Sequence, residues 1–183
     1  NDKNALSAIA LEAKENLEVE TFTVLVDKGY HNGREIETCK NNNITTIVAV
    51  PDQGKSNENG TQPDYLVSKF IYNKENNTYT CPQGQTLTTS GSWHKKTRDG
   101  DNTSYMFQKY RTPACRTCPV KDQCTSRKGG REIDRSQYAD AVEENHKRYQ
   151  ANPQRYRKRQ EINEHIFGTI KRKWGYNYTD LIG

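Results

Sequence analysis

Two stretches of sequence decide the fold: Glu18-Val-Glu-Thr-Phe-Thr-Val-Leu-Val26 and Ile44-Thr-Thr-Ile-Val-Ala-Val50. Both are rich in β-branched and aromatic residues, a composition typical of buried strands. Between them, Asp27-Lys-Gly-Tyr30 predicts a turn, and residues 34–41 predict a short helix. A strand, a helix and a second strand within about 30 residues make a βαβ unit. The pattern therefore predicts an α/β fold with a parallel sheet.

The overall composition excludes some classes of protein. Of the 183 residues, 31% are hydrophobic, against roughly 45–50% in an ordinary soluble domain, and the mean hydropathy is -1.13. No run approaches the roughly 18 apolar residues that a membrane span needs, and no signal-peptide pattern opens the chain. We therefore expect a cytoplasmic protein without membrane contact. The net charge of +5 favours a polyanionic partner.

Shifts in composition divide the chain into three segments. Residues 1–51 hold the βαβ unit, preceded by a helix whose apolar residues recur every three or four positions. Residues 52–132 begin with a linker rich in Asn, Gly, Gln and Ser and continue with short strand-like pieces. The pattern of residues 133–183 predicts helices. We expect a core built from the first and third segments and interrupted by a small β-rich insertion.

Shorter elements are predicted within the last two segments. The insertion contains strand-like pieces at Leu66–Tyr72, Thr78–Cys81 and Tyr105–Tyr110. Residues 136–150 predict one helix, and Asn152-Pro153 then supplies a cap followed by proline in the first turn of a longer helix. That longer helix is expected to run to about Trp174.

The insertion contains four of the five cysteines, which are Cys81, Cys115, Cys118 and Cys124. A pair of thiolates two residues apart, with two more nearby, is typical of a structural zinc site without an open position for catalysis. An iron–sulfur cluster and thiols without metal are the alternatives. Disulfides are not expected in a cytosolic chain. Cys39 stands alone on the predicted short helix and is expected to be a packed core thiol.

Two acidic residues are candidates for chemistry. Asp27 follows the first predicted strand, at the carboxyl end where open α/β sheets place their ligands. The alternative for Asp27 is an ordinary turn residue. Glu164 lies on the long helix, where Arg157 and Lys171 share its face. The alternative for Glu164 is an exposed face of ion pairs.

Basic residues cluster around Glu164. Between Asn145 and Gly175 the chain has nine Lys and Arg residues and two acids, so this stretch carries +7 and the remainder of the chain is slightly acidic. Aromatic residues are interleaved with the cations: Tyr149, Tyr156, Trp174 and Tyr176. Such a stretch suits a nucleic-acid backbone with occasional base stacking.

Several motifs together resemble one family, the DDE transposases of bacterial insertion sequences. Val26-Asp-Lys-Gly-Tyr30, followed by Gly33-x-Glu-Ile36, resembles the segment with their second catalytic Asp. Glu164-His-Ile-Phe-Gly168-x-Ile-Lys171 resembles the segment with their third acid. Tyr156 and Arg159, with Glu164 and Lys171, resemble their Tyr–Arg–Glu–Lys signature. The motifs Cys-Pro-x-Gly and Cys-x2-Cys-Pro-x4-Cys are similar to an insertion in one branch.

The resemblance implies a ribonuclease-H-like fold and a mechanism. Three carboxylates would hold two Mg²⁺ or Mn²⁺ ions for phosphodiester cleavage and strand transfer. Asp27 and Glu164 would be catalytic metal ligands. The implied partners are double-stranded transposon-end and target DNA and further copies of the chain in a synaptic complex. The residues expected to contact DNA are Tyr156, Arg157, Arg159, Lys171, Arg172, Lys173 and Trp174.

The resemblance also implies a missing carboxylate. The first catalytic Asp of the family lies on a strand upstream of the helix that opens this chain, and Asp2 is followed by a helical pattern. We therefore expect a catalytic-domain fragment that is inactive alone. The alternative is a non-catalytic, zinc-stabilised DNA-binding protein, such as a decayed transposase. A third interpretation is an interaction domain whose basic helix binds an acidic protein.

Overall fold

The computed structural model describes residues 2–51, 61–97, 103–159 and 161–162. The chain divides into two compact units. Unit 1 combines Asn1–Pro51 with Asp140–Gly183, and unit 2 is Asp52–Ala139. Unit 2 therefore separates the two segments of unit 1 along the sequence.

The first segment of unit 1 has the predicted βαβ order. Its elements are α1 (Leu6–Asn16), β1 (Phe22–Val26), α2 (Gly33–Asn41) and β2 (Ile44–Val48). The strands β1 and β2 are parallel, with Phe22 opposite Ile44 and Val26 opposite Val48. This confirms the predicted parallel strand pair. Burying the β-branched side chains of β2 against the helices stabilises the arrangement.

The two helices of this segment are held together by apolar packing and by one buried carboxylate. Glu35, at 7% exposure, accepts hydrogen bonds from the Ser7 backbone N–H (2.9 Å) and hydroxyl (2.6 Å). The start of α1 is thereby fixed to the first turn of α2. Asn32 caps α2 by accepting from the Arg34 N–H. The buried core comprises Leu6, Ala10, Ile36, Cys39, Ile44, Val48 and Ala141.

Ala141 belongs to α3, which returns the chain to unit 1 after unit 2. This helix spans Ala139–Ala151, and a further helix, α4, occupies residues 153–159. Asn145 of α3 is completely buried. Its amide oxygen accepts from the Val48 N–H (2.9 Å), and its amide nitrogen donates to the Val48 carbonyl (3.0 Å). A side-chain amide thus satisfies the outer edge of β2, where a neighbouring strand would otherwise pair.

Arg148 extends this edge contact by one helical turn. Its Nε donates to the Thr46 carbonyl (3.0 Å), and the Thr46 hydroxyl lies within hydrogen-bond distance of the Asn145 amide oxygen (3.2 Å). The Thr46 carbonyl and both backbone groups of Val48 are therefore bonded to α3. This matters energetically because an unpaired buried backbone group costs about 1–3 kcal/mol.

Unit 2 contains two small antiparallel sheets. The first has the order β3 (Ile71–Asn73), β4 (Thr78–Thr80), β5 (Thr86–Leu87). The second has the order β6 (Trp93–Thr97), β7 (Ser104–Tyr110), β8 (Ile133–Ser136). Their shared core is small and rich in tyrosine: Phe70, Tyr79, Leu87, Tyr110 and Ile133. Cys81 and Cys124 pack against it.

Charged side chains add to this small core. The Arg135 guanidinium stacks 3.6 Å from the centroid of the Tyr72 ring and donates to the Tyr79 hydroxyl at 2.9 Å. Glu132, whose side chain is 9% exposed, pairs with Lys109, Arg111 and Arg127 at 2.8–3.1 Å. Burial alone would raise the pKa of Glu132, but the hydrogen bonds from Arg127 and Lys109 lower it overall.

The structure refines the predicted boundaries in both units. The expected strand over residues 66–72 is reduced to β3, because short 3-10 turns occupy Pro63–Tyr65 and Val67–Lys69. The strand β8 begins at the predicted start of the third segment and pairs with β7, and α3 begins three residues after the predicted start at residue 136. In the described ranges, none of the helices combines the length and hydropathy needed to cross a bilayer.

Removing the Asn145 amide is predicted to destabilise unit 1. Asn145→Ala leaves the Val48 N–H and carbonyl without their partner, and we expect the free energy of unfolding to fall by about 2–4 kcal/mol. Urea titration followed by circular dichroism measures the change. The matched control is Gln150→Ala, an exposed position on the same helix, expected to change stability by less than about 0.5 kcal/mol. Equal effects of the two substitutions would contradict the role of Asn145.

Candidate active site

Asp27 lies immediately after β1, and its carboxylate is held in place by the turn that follows. Oδ1 accepts a hydrogen bond from the Gly29 N–H at 2.8 Å, which caps a 3-10 turn over Lys28–Tyr30. A Cβ at position 29 would lie 2.9 Å from this oxygen, so a larger residue there would require the Asp27 carboxylate to shift. Because β1 ends at Val26, Asp27 stands at the carboxyl end of a strand, as predicted.

The second oxygen of Asp27 is paired with Arg159 of α4. The Arg159 Nη2 donates to Asp27 Oδ2 at 3.2 Å across 132 positions of sequence. The Asp27 side chain remains 49% exposed, whereas that of Arg159 is 22% exposed. A carboxylate held on both oxygens and still open to solvent is oriented without being enclosed. An ion pair this exposed contributes no more than about 1 kcal/mol to stability.

Tyr156, one turn before Arg159, attaches α4 to the end of β1. Its hydroxyl donates to the Val26 carbonyl at 3.3 Å. Its ring packs edge-on against Tyr149 of α3, with centroids 4.9 Å apart, and the Arg159 guanidinium lies 5.8 Å from the Tyr156 ring centroid. Burial raises the pKa of Tyr156, so its hydroxyl stays protonated and remains a donor at neutral pH.

Three of the predicted site residues therefore come together at one place: Asp27, Tyr156 and Arg159. Arg157, on the same helix, is exposed. The other predicted residues lie outside the described ranges, namely Glu164, Lys171, Arg172, Lys173 and Trp174. The pairing of Arg159 with Asp27 was not anticipated, because nothing local in either segment indicates contact across so much intervening sequence.

The four cysteines of unit 2 line one cavity. All four are free thiols, and Cys81, Cys115, Cys118 and Cys124 face the same space beside Phe70 and Arg131. The Gln85 N–H donates to the Cys81 sulfur at 3.4 Å. Gly130 adopts a φ of +93°, and a Cβ there would lie 2.3 Å from the Cys115 Cβ. The cavity wall is therefore packed tightly at this cysteine.

The donor chemistry of this cavity suits a soft metal, but the spacing is not that of a formed site. Burial raises the pKa of the Cys124 thiol, and the neighbouring cysteines raise it further. Across the part of the chain that the structure describes, no group of three or more Cys, His, Asp or Glu residues has metal-binding geometry. Cys39 lies in the core of unit 1, where burial raises the pKa of its thiol to about 11. The prediction of a packed core thiol is confirmed.

Comparison with known proteins identifies the family. A family model described as "Transposase DDE domain" matches residues 80–183, more than half of the chain. The match includes Glu164 and the four clustered cysteines, whereas Asp27 precedes it. No curated protein and no solved structure matches the chain. Members of this family act on DNA and generally use Mg²⁺ or Mn²⁺. The family match confirms the resemblance read from the motifs, and the chain belongs to the transposase DDE domain family.

Proposed function

We propose that the chain supplies two carboxylates, Asp27 and Glu164, to the Mg²⁺-dependent active site of a DNA transposase. The observation that carries this proposal is the half-exposed Asp27 at the carboxyl end of β1. Its carboxylate is aimed by the Gly29 N–H and balanced by Arg159. Parallel strands β1 and β2 with α2 between them along the chain are consistent with a ribonuclease-H-like core interrupted by unit 2.

The residues at the end of β1 suit a hard divalent cation. Carboxylate oxygen is the ligand that Mg²⁺ prefers, and the exposure of Asp27 leaves room for an ion and its water shell. When bound, Mg²⁺ would activate the attacking hydroxyl and stabilise the leaving oxygen of the phosphodiester. Arg159 pairs with Asp27, and Tyr156 keeps α4 attached to β1. We propose that Glu164, further along the same segment, completes the pair.

The basic stretch around Glu164 is proposed to hold the DNA. On α4, Tyr156 is followed directly by Arg157, and Arg159 pairs with Asp27. Phosphate contacts by Lys and Arg orient a duplex without reading its sequence. Lys171, Arg172, Lys173 and Trp174 continue this charge pattern along the chain. Assembly of several copies on paired transposon ends and a cytoplasmic location belong to the same proposal.

Metal binding tests the assignment of the two carboxylates. We expect the chain to bind Mn²⁺. Asp27→Asn or Glu164→Gln should weaken this binding by at least roughly 10-fold, which is the typical loss of affinity when even a residue that supports a metal ligand is removed. Arg159→Gln removes the cation that pairs with Asp27 and should tighten Mn²⁺ binding. Isothermal titration calorimetry or electron paramagnetic resonance measures the affinities. Arg157→Gln is the matched control, with the same charge change on the same helix.

The non-catalytic alternative predicts the opposite pattern. The Asp27–Arg159 ion pair would then be structural, so Mn²⁺ would bind no better to wild type than to Asp27→Asn. DNA affinity in the Asp27→Asn and Glu164→Gln variants would be unchanged or tighter. That combination would reject the enzymatic proposal and favour a DNA-binding module.

Cleavage by the 183 residues alone is not expected. The family site uses three carboxylates, and the motifs match two of them here, so the metal site is incomplete. Incubating the chain with supercoiled plasmid and Mg²⁺ or Mn²⁺ should leave the plasmid intact on an agarose gel. Nicking that persists through purification and disappears in Asp27→Ala would overturn this expectation.

We further propose that the cysteine cavity of unit 2 holds a structural Zn²⁺ ion. Four free thiols line one cavity in a unit with a small apolar core, and this arrangement supports the proposal. Metal ligation releases the thiol protons and couples binding to folding. Metal binding would require small positional shifts of the cysteines, because the described residues contain no group of three or more ligands with metal-binding geometry.

Metal analysis of the purified chain tests the zinc proposal. We expect roughly one zinc per chain, lost together with the structure of unit 2 on chelation. Cys118→Ser should lower the zinc content, whereas Cys39→Ala, a cysteine of the unit 1 core, should retain it even if stability falls. Elemental analysis and circular dichroism measure both properties. Iron with visible absorbance would indicate a cluster instead, and a folded, metal-free preparation would reject the proposal.

A further inference from the structure

The strand β6 is unusual in unit 2 because it buries none of its side chains. All five residues of Trp93-His-Lys-Lys-Thr97 are exposed, and Trp93 is 50% exposed. The strand lies at one edge of the β6–β7–β8 sheet. This pattern also explains why no strand was predicted here, since the segment lacks the alternation of apolar and polar residues that marks a half-buried strand. Packing within unit 2 does not account for these side chains.

One face of the β6–β7 hairpin combines aromatic rings with a lysine. His94 pairs across the strands with Phe107, and Lys96 pairs with Tyr105, so these four side chains share one face. The ring of Phe107 lies 5.6 Å from that of His94 and 6.2 Å from that of Tyr105. Phe107 is buried, at 7% exposure, and the Lys109 ammonium lies 5.7 Å from its ring centroid. The rings of His94 and Tyr105, next to the buried Phe107, therefore form an aromatic surface beside Lys96.

The opposite face repeats this combination. Trp93 and Lys95 alternate with His94 and Lys96, so they project from the other side of β6. Their cross-strand neighbours are Gln108 and Met106. Each face of the hairpin therefore presents an aromatic side chain and a lysine to solvent.

The two lysines of β6 have no oppositely charged partner among the described residues. Neither Lys95 nor Lys96 has an ion pair or a side-chain hydrogen bond among the residues that the structure describes. Elsewhere in the same unit, Lys109, Arg111 and Arg127 all converge on Glu132. Within the described part of unit 2, a buried carboxylate thus neutralises one group of cations, whereas the hairpin lysines have no such partner.

Protection of the sheet edge explains only part of this arrangement. Exposed lysines on an edge strand oppose pairing with another chain, which would account for Lys95 and Lys96. A half-exposed tryptophan on the same strand has the opposite effect, since exposed apolar surface favours association. Cations interleaved with exposed aromatic rings are instead the combination that binds a phosphate backbone and stacks on bases.

We propose that the β6–β7 hairpin is a second DNA-binding surface, on which Lys95 and Lys96 contact phosphates and Trp93 stacks on an unpaired base. This surface adds DNA contacts in unit 2 to the DNA contacts proposed for unit 1. The choice of DNA as the polyanion rests on the proposed function, whereas the surface itself does not depend on metal binding by Asp27. Stacking on single rings favours DNA with an unpaired end over a continuous duplex.

Two hairpin variants test the proposal with two DNA probes, a blunt duplex and the same duplex with a single-stranded overhang. Lys95→Gln/Lys96→Gln should weaken binding to both probes. The slope of log affinity against log salt concentration should also become shallower, by about 0.9 for each lysine that contacts duplex phosphates or about 0.7 for each that contacts the single-stranded overhang. Trp93→Ala should weaken binding to the overhang probe by about fivefold or more and change the blunt duplex less. Fluorescence anisotropy over a salt series measures both.

The control is Lys69→Gln/Lys128→Gln, which removes the same charge from exposed positions of unit 2 outside the hairpin. Equal affinities and salt slopes for the control and hairpin variants would overturn the proposal. So would self-association of the hairpin lysine variant in analytical ultracentrifugation with unchanged DNA affinity, because the lysines would then protect the edge. Loss of Mn²⁺ binding in Asp27→Asn is a separate readout, so failure of the hairpin proposal and failure of the catalytic proposal are distinguishable.

Discussion

The outer edge of β2 is closed by side chains, and the arrangement of unit 1 depends on that contact. The amide of Asn145 bonds both backbone groups of Val48, and Arg148 bonds the Thr46 carbonyl. A strand edge normally needs another strand or water for these groups. Because helix α3 supplies them here, the chain returns to the sheet after unit 2 in one defined orientation. Ala141, on the same helix, joins the apolar core beside β2.

The position of α4 follows from this anchor. α4 begins two residues after the end of α3, and Tyr149 of α3 packs against Tyr156 of α4. Tyr156 then reaches the last carbonyl of β1, and Arg159 reaches Asp27. A buried hydrogen-bonded contact at β2 thereby fixes a half-exposed ion pair at β1. The contacts that make this arrangement rigid are buried, whereas the polar groups available for chemistry are at the surface. Precise positioning of a site requires such a rigid support.

Unit 2 reaches its stability by other means. Its apolar core contains few residues, three of them aromatic, and a stacked arginine and a triply paired glutamate supplement it. Small domains with so little buried apolar area often depend on metals or cross-links. The four free cysteines around one cavity are consistent with that need.

The sequence by itself determined the local elements and the residue types of the site. Runs rich in β-branched residues predicted β1 and β2, and the motif around Asp27 placed an acid at the end of β1 and indicated the family. These features depend on neighbours within a few positions, so periodicity and turn chemistry encode them. The exposed strand β6 escaped prediction because none of its side chains is buried, which removes the alternation of apolar and polar residues on which such prediction depends. Tertiary structure alone decided that Arg159 pairs with Asp27 across 132 positions and that Asn145 closes the edge of β2. Such contacts arise from the packing of whole elements, and no local pattern specifies which distant polar group will satisfy a strand edge or a carboxylate.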